Sequence, residues 1–188
     1  MSLIDKTYFR GPIMLAQLGD VNVTASVQIF IDLHEKPFLQ AALGYDLWVA
    51  FNSGITAQDP EQKWKDLRDG IAFTNISGIK KKWVGFADGT GKLSPIASYV
   101  YWHIQKDNAA QTAGVGVVKT AAENATSADP SYKMVTAWNQ MLTDINILWE
   151  FLEVNKATYS QYDTTQVNYK FFGALAPNVY YGQNQFGI

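Results

Sequence analysis

Apolar residues recur along the second half of the chain with a helical step. Met134, Trp138, Met141, Ile145, Leu148 and Leu152 follow one another at spacings of four, three, four, three and four. That order puts them on one stripe of a helix, and Val135, Leu142 and Trp149 add a second row one position over. A stripe this wide predicts a core helix of a bundle over Ser131 to Asn155 rather than a two-stranded coiled coil. Asp129 is placed to cap its first free N–H groups, and Pro130 has the φ that a first helical position requires. About 25 residues at 1.5 Å each give a rod of roughly 37 Å, enough to cross a small domain. The remaining elements are then expected to supply its other walls.

Upstream, residues 4–19 read as a short lead-in broken by Gly11-Pro12, with Ile13, Met14, Leu15 and Leu18 forming an apolar turn or two. Residues 23–34 predict a helix with Val23, Val27, Phe30, Ile31 and His34 on one side. Pro37 is expected to open a further helical run, with Phe38, Leu39, Ala42 and Leu43 inward and Gly44 as the stop. Tyr45 to Phe51 resumes the helical pattern through Leu47, Trp48 and Phe51. Trp64 and Leu67 indicate one more short helix, ended by Asp69-Gly70. Two short β-rich runs follow, IAFTN and IKKKWVGF, and predict a hairpin. Ser94-Pro95 repeats the pairing of cap and proline, ahead of a helix carrying Ile96, Tyr99, Val100, His103 and Ile104. Gly114 to Val118 fits either a strand or the start of a helix running through Ala125. The fold class is therefore mainly α: a helical bundle around a long helix at about 130–155, with a small β-hairpin at about 71–86. Residues 1–156 form the bundle domain, and 157–188 form an extended, irregular aromatic tail.

The tail changes the picture most. Between 157 and 188 only Asp163 and Lys170 are charged, whereas Tyr159, Tyr162, Tyr169, Phe171, Phe172, Tyr180, Tyr181 and Phe186 are scattered among Asn, Gln and Gly with no helical period. A chain does not leave so many aromatics in water. Either the tail wraps its own bundle or it lies on another subunit, where Tyr-rich polar segments make good contact surfaces. The second reading is preferred here, and it makes these aromatics candidate partner-binding residues.

Composition narrows the classes. Of 188 residues 47% are hydrophobic and none is cysteine, which excludes disulfide frameworks, thiolate metal sites and cysteine nucleophiles and suits a reducing cytoplasm. The net charge of −2 gives no overall pull towards nucleic acid or membrane, and no apolar run approaches the length of a membrane span. Charge is uneven, however. Residues 1–60 hold three basic and six acidic side chains, 61–119 nine and five, and 120–188 three and six, so the middle third is electropositive.

Chemistry-bearing patterns are sparse. His34 and His103 lie far apart in sequence with no convergent ligands beside them, and both read as ordinary core or surface histidines. Asp88-Gly-Thr-Gly-Lys92 resembles part of a phosphate loop, but Phe86 stands where that pattern needs Gly and Leu93 where it needs Ser or Thr. Lys80, Lys81 and Lys82 form the most basic point. On an alternating strand Lys80 and Lys82 take one face and Lys81 the other. They are either a solvated edge that discourages strand pairing or a weak, salt-sensitive contact to a polyanion, whether an acidic partner or DNA phosphates. No catalytic, cofactor-binding or metal-ligating residue is assigned.

The order of landmarks resembles the head–tail connector (adaptor) proteins of tailed phages and prophages. The residues concerned are Phe38-Leu39 with Leu43-Gly44-Tyr45, Lys63-Trp64-Lys65-Asp66-Leu67-Arg68-Asp69-Gly70, Lys82-Trp83-Val84-Gly85, Ser94-Pro95-Ile96-Ala97-Ser98-Tyr99, the run Thr112 to Val118, and Ala137-Trp138-Asn139. The likeness spans roughly residues 4–155. It implies a small helical protein without enzymatic activity or cofactor. Such a protein forms a homo-oligomeric ring beneath the portal, docks to portal or tail proteins, and is found in the host cytoplasm during assembly and then in the virion. Two other readings stand beside it: a monomeric helical module that presents a groove to one protein, and an enzyme whose site only the fold brings together.

Overall fold

The computed structural model describes residues 2–109, 111–113, 116–118 and 131–173. Among these are five α-helices: α1 (Val21–Leu43), α2 (Tyr45–Ile55), α3 (Gln62–Asp69), α4 (Pro95–Ala109) and α5 (Ser131–Val154). Strands β1 (Ile71–Thr74) and β2 (Lys80–Trp83) form one antiparallel hairpin, and β3 (Gln111–Ala113) and β4 (Gly116–Val118) form a second. The mainly helical reading with a small hairpin at 71–86 holds, and the 116–118 stretch is strand. The expected caps Asp129 and Pro130 lie outside the described residues.

Helix α5 buries the stripe that its sequence announces: Trp138, Met141, Ile145, Leu148 and Leu152 are all in the core, with Met134 packed at its edge. Yet the most enclosed helix is α4. Every residue from Ser94 to Trp102 is buried, because α5 packs on one side of α4, α1 on another, and the N-terminal lead-in closes over both α4 and α5. A helix with no solvent face in its first turns cannot leave its free N–H groups to water. Ser94 meets that need: its Oγ accepts from the Ala97 N–H at 3.2 Å and donates to the Phe86 carbonyl at 2.6 Å.

Helix α1 departs from expectation. It does not break at Pro37 but runs continuously from Val21 to Leu43. Proline removes the bond to the carbonyl four residues earlier, that of Leu33. Leu33 and Pro37 both lie on the exposed face of α1, where water can take the freed carbonyl. Asp20 caps the helix by accepting from the Asn22 and Val23 N–H groups. At its far end Gly44 has φ +78, and a Cβ there would stand 2.9 Å from the Gln166 side chain. Glycine is thus required both for the turn and for the close approach of residues 163–173.

That approach decides how the first half of the tail packs. The Asn168 N–H donates to the Ala41 carbonyl at 2.9 Å, Gln166 exchanges hydrogen bonds with Asp46, and the Tyr159 hydroxyl donates to the Lys63 carbonyl at 2.9 Å. Tyr159, Tyr162, Val167 and Phe172 are buried, and the Phe172 ring meets Phe38 edge-on at 5.2 Å. The expectation that this part of the tail serves another subunit is corrected: residues 157–173 complete the core of their own chain. They need no helical period to do so, because each aromatic fills a gap between helices that are already formed. Replacing Phe172 with Ala is expected to lower unfolding stability by about 3–5 kcal/mol, measured by chemical denaturation. A loss under about 1 kcal/mol would show that the ring fills no essential space.

Candidate functional site

The hairpin and the faces beside it carry the residues singled out from sequence. The register pairs Ile71 with Trp83, Ala72 with Lys82, Phe73 with Lys81 and Thr74 with Lys80. Strand alternation therefore turns Ile71, Phe73, Lys81 and Trp83 inward and leaves Lys80 and Lys82 exposed. Trp83 is fully buried and its indole N–H donates to the Leu67 carbonyl at 3.0 Å. Lys81 is not available to a partner: its Nζ is 2.6 Å from Glu150 Oε1 on α5, and the Asn75 amide donates to the other carboxylate oxygen. Burial pushes the Glu150 carboxyl up, but the bonds from Lys81 and Asn75 outweigh it and leave it below its ordinary value. The pair is half-exposed and contributes on the order of 0–1 kcal/mol. It orients the hairpin more than it stabilises it.

Between the hairpin turn and α5 lies a groove of about 690 Å³. Ile76, Trp149, Glu150, Glu153, Tyr162 and Tyr169 line it. Tyr169 packs edge-on against Trp149 at 4.6 Å, and the Trp149 N–H donates to the Ala42 carbonyl. Of the aromatics proposed from sequence to meet a partner, Tyr159, Tyr162 and Phe172 are instead buried in the chain's own core. Tyr169 and Phe171 are half-buried, Phe171 lying 5.4 Å from Tyr99. Tyr180, Tyr181 and Phe186 lie outside the described residues. Among the described residues, then, the expected set survives on the surface as Lys80, Lys82 and the edges of Tyr169 and Phe171.

The phosphate-loop resemblance has a different cause. Asp88 turns back on its own loop, its carboxylate accepting from the Thr90 and Gly91 N–H groups. An acid thus occupies the amides that a phosphate would need. The loop is a turn leading to the Ser94 cap.

Sequence reasoning kept the two histidines apart, whereas the fold stacks them. His34 of α1 and His103 of α4 lie ring on ring at 3.8 Å with 20° between planes, and Phe30, Tyr99 and Trp102 surround them. The available signal was that each sits on the apolar face of its helix, so packing α1 on α4 brings them together. Burial holds His34 below the ordinary imidazole range. His103 is pushed down to about 4 by burial, then by the charge of His34 and of Lys106. Both are neutral at pH 7, and stacking two imidazolium rings is unfavourable. Among the described residues, no three His, Cys, Asp or Glu side chains are grouped to hold a metal ion.

Two acids were also missed. Glu35 is buried on α1 and accepts from the Leu3 and Ile4 N–H groups and the Ser2 hydroxyl, fastening the N-terminal segment. Asp144 is buried on α5, between the core positions Met141 and Ile145. Burial raises both carboxyls, Asp144 to about 6. No helix among the described residues is long and apolar enough to cross a membrane. Comparison of the chain with protein-family models, with curated proteins and with solved structures finds no match.

These groups act on stability with opposite sign. A histidine whose folded value is depressed destabilises the fold as it protonates, so the His34–His103 contribution is whole above about 6.5 and is lost as pH falls towards 4. A carboxyl whose folded value is raised does the reverse, favouring the fold below about 3.8 and losing that advantage as pH rises through about 6. Exchanging His103 for Phe retains a ring in the stack and removes its charge. The fall in melting temperature between about pH 7 and pH 5 should then shrink. An unchanged pH profile would mean that the stack does not sense protons.

Proposed function

We propose that this chain is a non-enzymatic structural subunit of a phage or prophage head–tail connector, working by ring assembly and by docking to portal or tail proteins. The landmark order from Phe38 to Asn139 supports the family reading. The observation that carries the assembly reading is an apolar strip on the outer face of the molecule. Ile29 and Leu33, one helical turn apart on α1, are 61% and 58% exposed. In the next turn Lys36 lies over the Trp48 ring of α2, and Tyr45, also exposed, packs against Trp48 at 5.9 Å. Scattered exposed aliphatics are ordinary, but two at i and i+4 that lead into a pair of aromatic rings form a contiguous patch. A head-to-tail contact between copies that closes on itself covers such a patch in every subunit of a ring. The exposed Lys80 and Lys82 then face a neighbour or the phosphates of DNA in the lumen, a contact without base readout. On this reading the protein works in the host cytoplasm during assembly and in the virion afterwards.

A second reading, a monomeric module that holds one protein segment, is favoured by the groove between the hairpin turn and α5. The two readings place the contact on different faces. The double substitution Ile29→Glu and Leu33→Glu is expected to abolish co-assembly with a portal ring, followed by sedimentation, while helix content by circular dichroism is unchanged. Co-assembly equal to that of the unaltered chain would remove the strip from the proposal, and a loss caused instead by Trp149→Ala would favour the groove. Ending the chain after Gly173 removes Tyr180, Tyr181 and Phe186 and keeps the buried Tyr159, Tyr162 and Phe172. It is expected to weaken co-assembly with a portal ring.

A further inference from the structure

A second cavity, of about 330 Å³, lies where the N-terminal lead-in closes over α4 and α5, and shares no lining residue with the groove at the hairpin turn. Its lining brings together groups that the assembly reading leaves without a task. On the α5 side is Asp144, only 6% exposed. Its sole hydrogen bond among the described residues comes from Gln140 Nε2 to Oδ1 at 3.0 Å, and it makes no ion pair there. Gln140 lies one turn away on the same helix, so no other element satisfies this acid. Removing a carboxylate from water costs several kcal/mol unless opposite charge and hydrogen bonds replace the water. Neighbouring core positions of α5 carry Met141, Ile145 and Leu148, and a residue of that kind would have closed the core more cheaply. The second carboxylate oxygen is not sealed within the protein, so its free lone pairs are open to a solute that enters the cavity. The Ser98 hydroxyl of α4 lines the same space.

The same lining also carries two cations, with Asp5 close to one of them, Lys92. Arg10 is exposed and donates to the Gly91 carbonyl with one of its five N–H groups. Lys92 lies over the Tyr8 ring with its Nζ 4.6 Å from the centroid. Neither cation is close enough to pair with Asp144, and burial keeps that carboxyl at about 6 rather than at its ordinary value. A purely cationic visitor would be repelled by Arg10 and Lys92, and a purely anionic one by Asp144. Ile13, Val84 and Leu93 give the walls between them an apolar character.

We propose that this cavity binds a small zwitterion, with an apolar α-amino acid as the simplest fit. Its ammonium group sits on the Asp144 carboxylate and its carboxylate points towards Arg10 and Lys92. The volume lies at the small end of ligand pockets, which suits a molecule the size of valine or leucine. The ammonium supplies the charge-assisted hydrogen bonds that Asp144 lacks. This inference does not depend on the assembly reading, since the cavity and the α1 strip share no residue.

Isothermal titration of the full chain with L-valine and L-leucine tests it, with n-butylamine and pentanoate as the single-charge controls. Saturable binding is expected for the amino acids, about tenfold or more weaker for butylamine, and none for pentanoate. Asp144→Asn should weaken binding by about 10- to 100-fold. Near pH 6 the unaltered chain should release protons on binding, seen as a dependence of the heat on the buffer's ionisation enthalpy. Asp144→Asn should itself fold, and above about pH 6 it should melt no lower than the unaltered chain, because a buried charge has gone. If that variant does not fold, Thr136→Trp, at an exposed α5 position that lines the cavity, should block binding in its place. No saturable binding of either amino acid up to about 10 mM, or equal binding by Asp144→Asn, overturns the proposal. Butylamine binding as tightly as leucine overturns the assignment of a zwitterion.

Discussion

The enclosure of α4 is the constraint on which the remaining structure depends. From Ser94 to Trp102 the helix has no face left for water, so each neighbour must be in place before it is stable. Its N-terminus is secured by the Ser94 hydroxyl, which also holds the Phe86 carbonyl at the exit of the hairpin. The hairpin strand leading to Phe86 is in turn fixed by the buried Trp83, whose indole bonds the end of α3. Gly70 and Gly85, both at positive φ, allow the backbone after α3 to cross the backbone after β2 where a Cβ would strike main-chain atoms. A single line of contacts thus runs from α3 through the hairpin to the cap of α4. It explains why a small two-stranded element sits inside an otherwise helical chain: it delivers α4 to its slot at the correct depth.

The core that closes around α4 is assembled from pieces of different regularity, and their legibility in the sequence follows that regularity. The α5 stripe, the Ser94-Pro95 start and the alternation of the hairpin lysines are local patterns, set by repeats of 3.6 and 2 residues, and a short window of the chain suffices to read each of them. Pro37 misled because a proline forbids a helix only where its lost hydrogen bond must be replaced by protein. The exposure of Leu33 and Pro37 lifts that requirement, but exposure is a tertiary fact. The tail misled in a complementary way. Tyr159, Tyr162 and Phe172 have no period because the surface they fill is made by α1, α2, α3 and α5 together, and no local window contains it. Counting aromatics shows that they must be covered. It does not show by which chain.

Buried ionisable groups were the least legible class. His34 and His103 are 69 positions apart in number and 3.8 Å apart in space, and the apolar face each occupies shows that it packs inward without showing against what. Glu35 looks like an ordinary charged helix residue until Leu3 and Ile4 place their N–H groups on it. Asp144 looks like the polar side of an amphipathic helix, whereas α5 is covered on that side by the lead-in segment. The two acids share a cause. The N-terminal twenty residues form little regular structure, so a reader of patterns assigns them little weight, yet they cover α1, α4 and α5 and determine which acids lose their water. For Glu35 and Asp144 it is an irregular segment, rather than the helices that carry them, that sets the electrostatics.

The way the tail packs also relocates any contact surface. With residues up to Phe172 used to complete the core, the described half of the aromatic strap expected from composition is spent within its own chain. In the proposed assembly the neighbour is met by the rigid outer face of α1 and α2. A preformed helical ridge loses less conformational entropy on docking than a segment that must order as it binds. It also fixes the angle between successive copies, which a ring needs and a flexible strap does not supply. The Gly44 turn strengthens the point: α1 and α2 are held in one orientation by Gln166 and Asp46, so the same tail that is withdrawn from the surface stiffens the surface that remains. Covering the core in cis and presenting a rigid ridge in trans are two results of one packing arrangement.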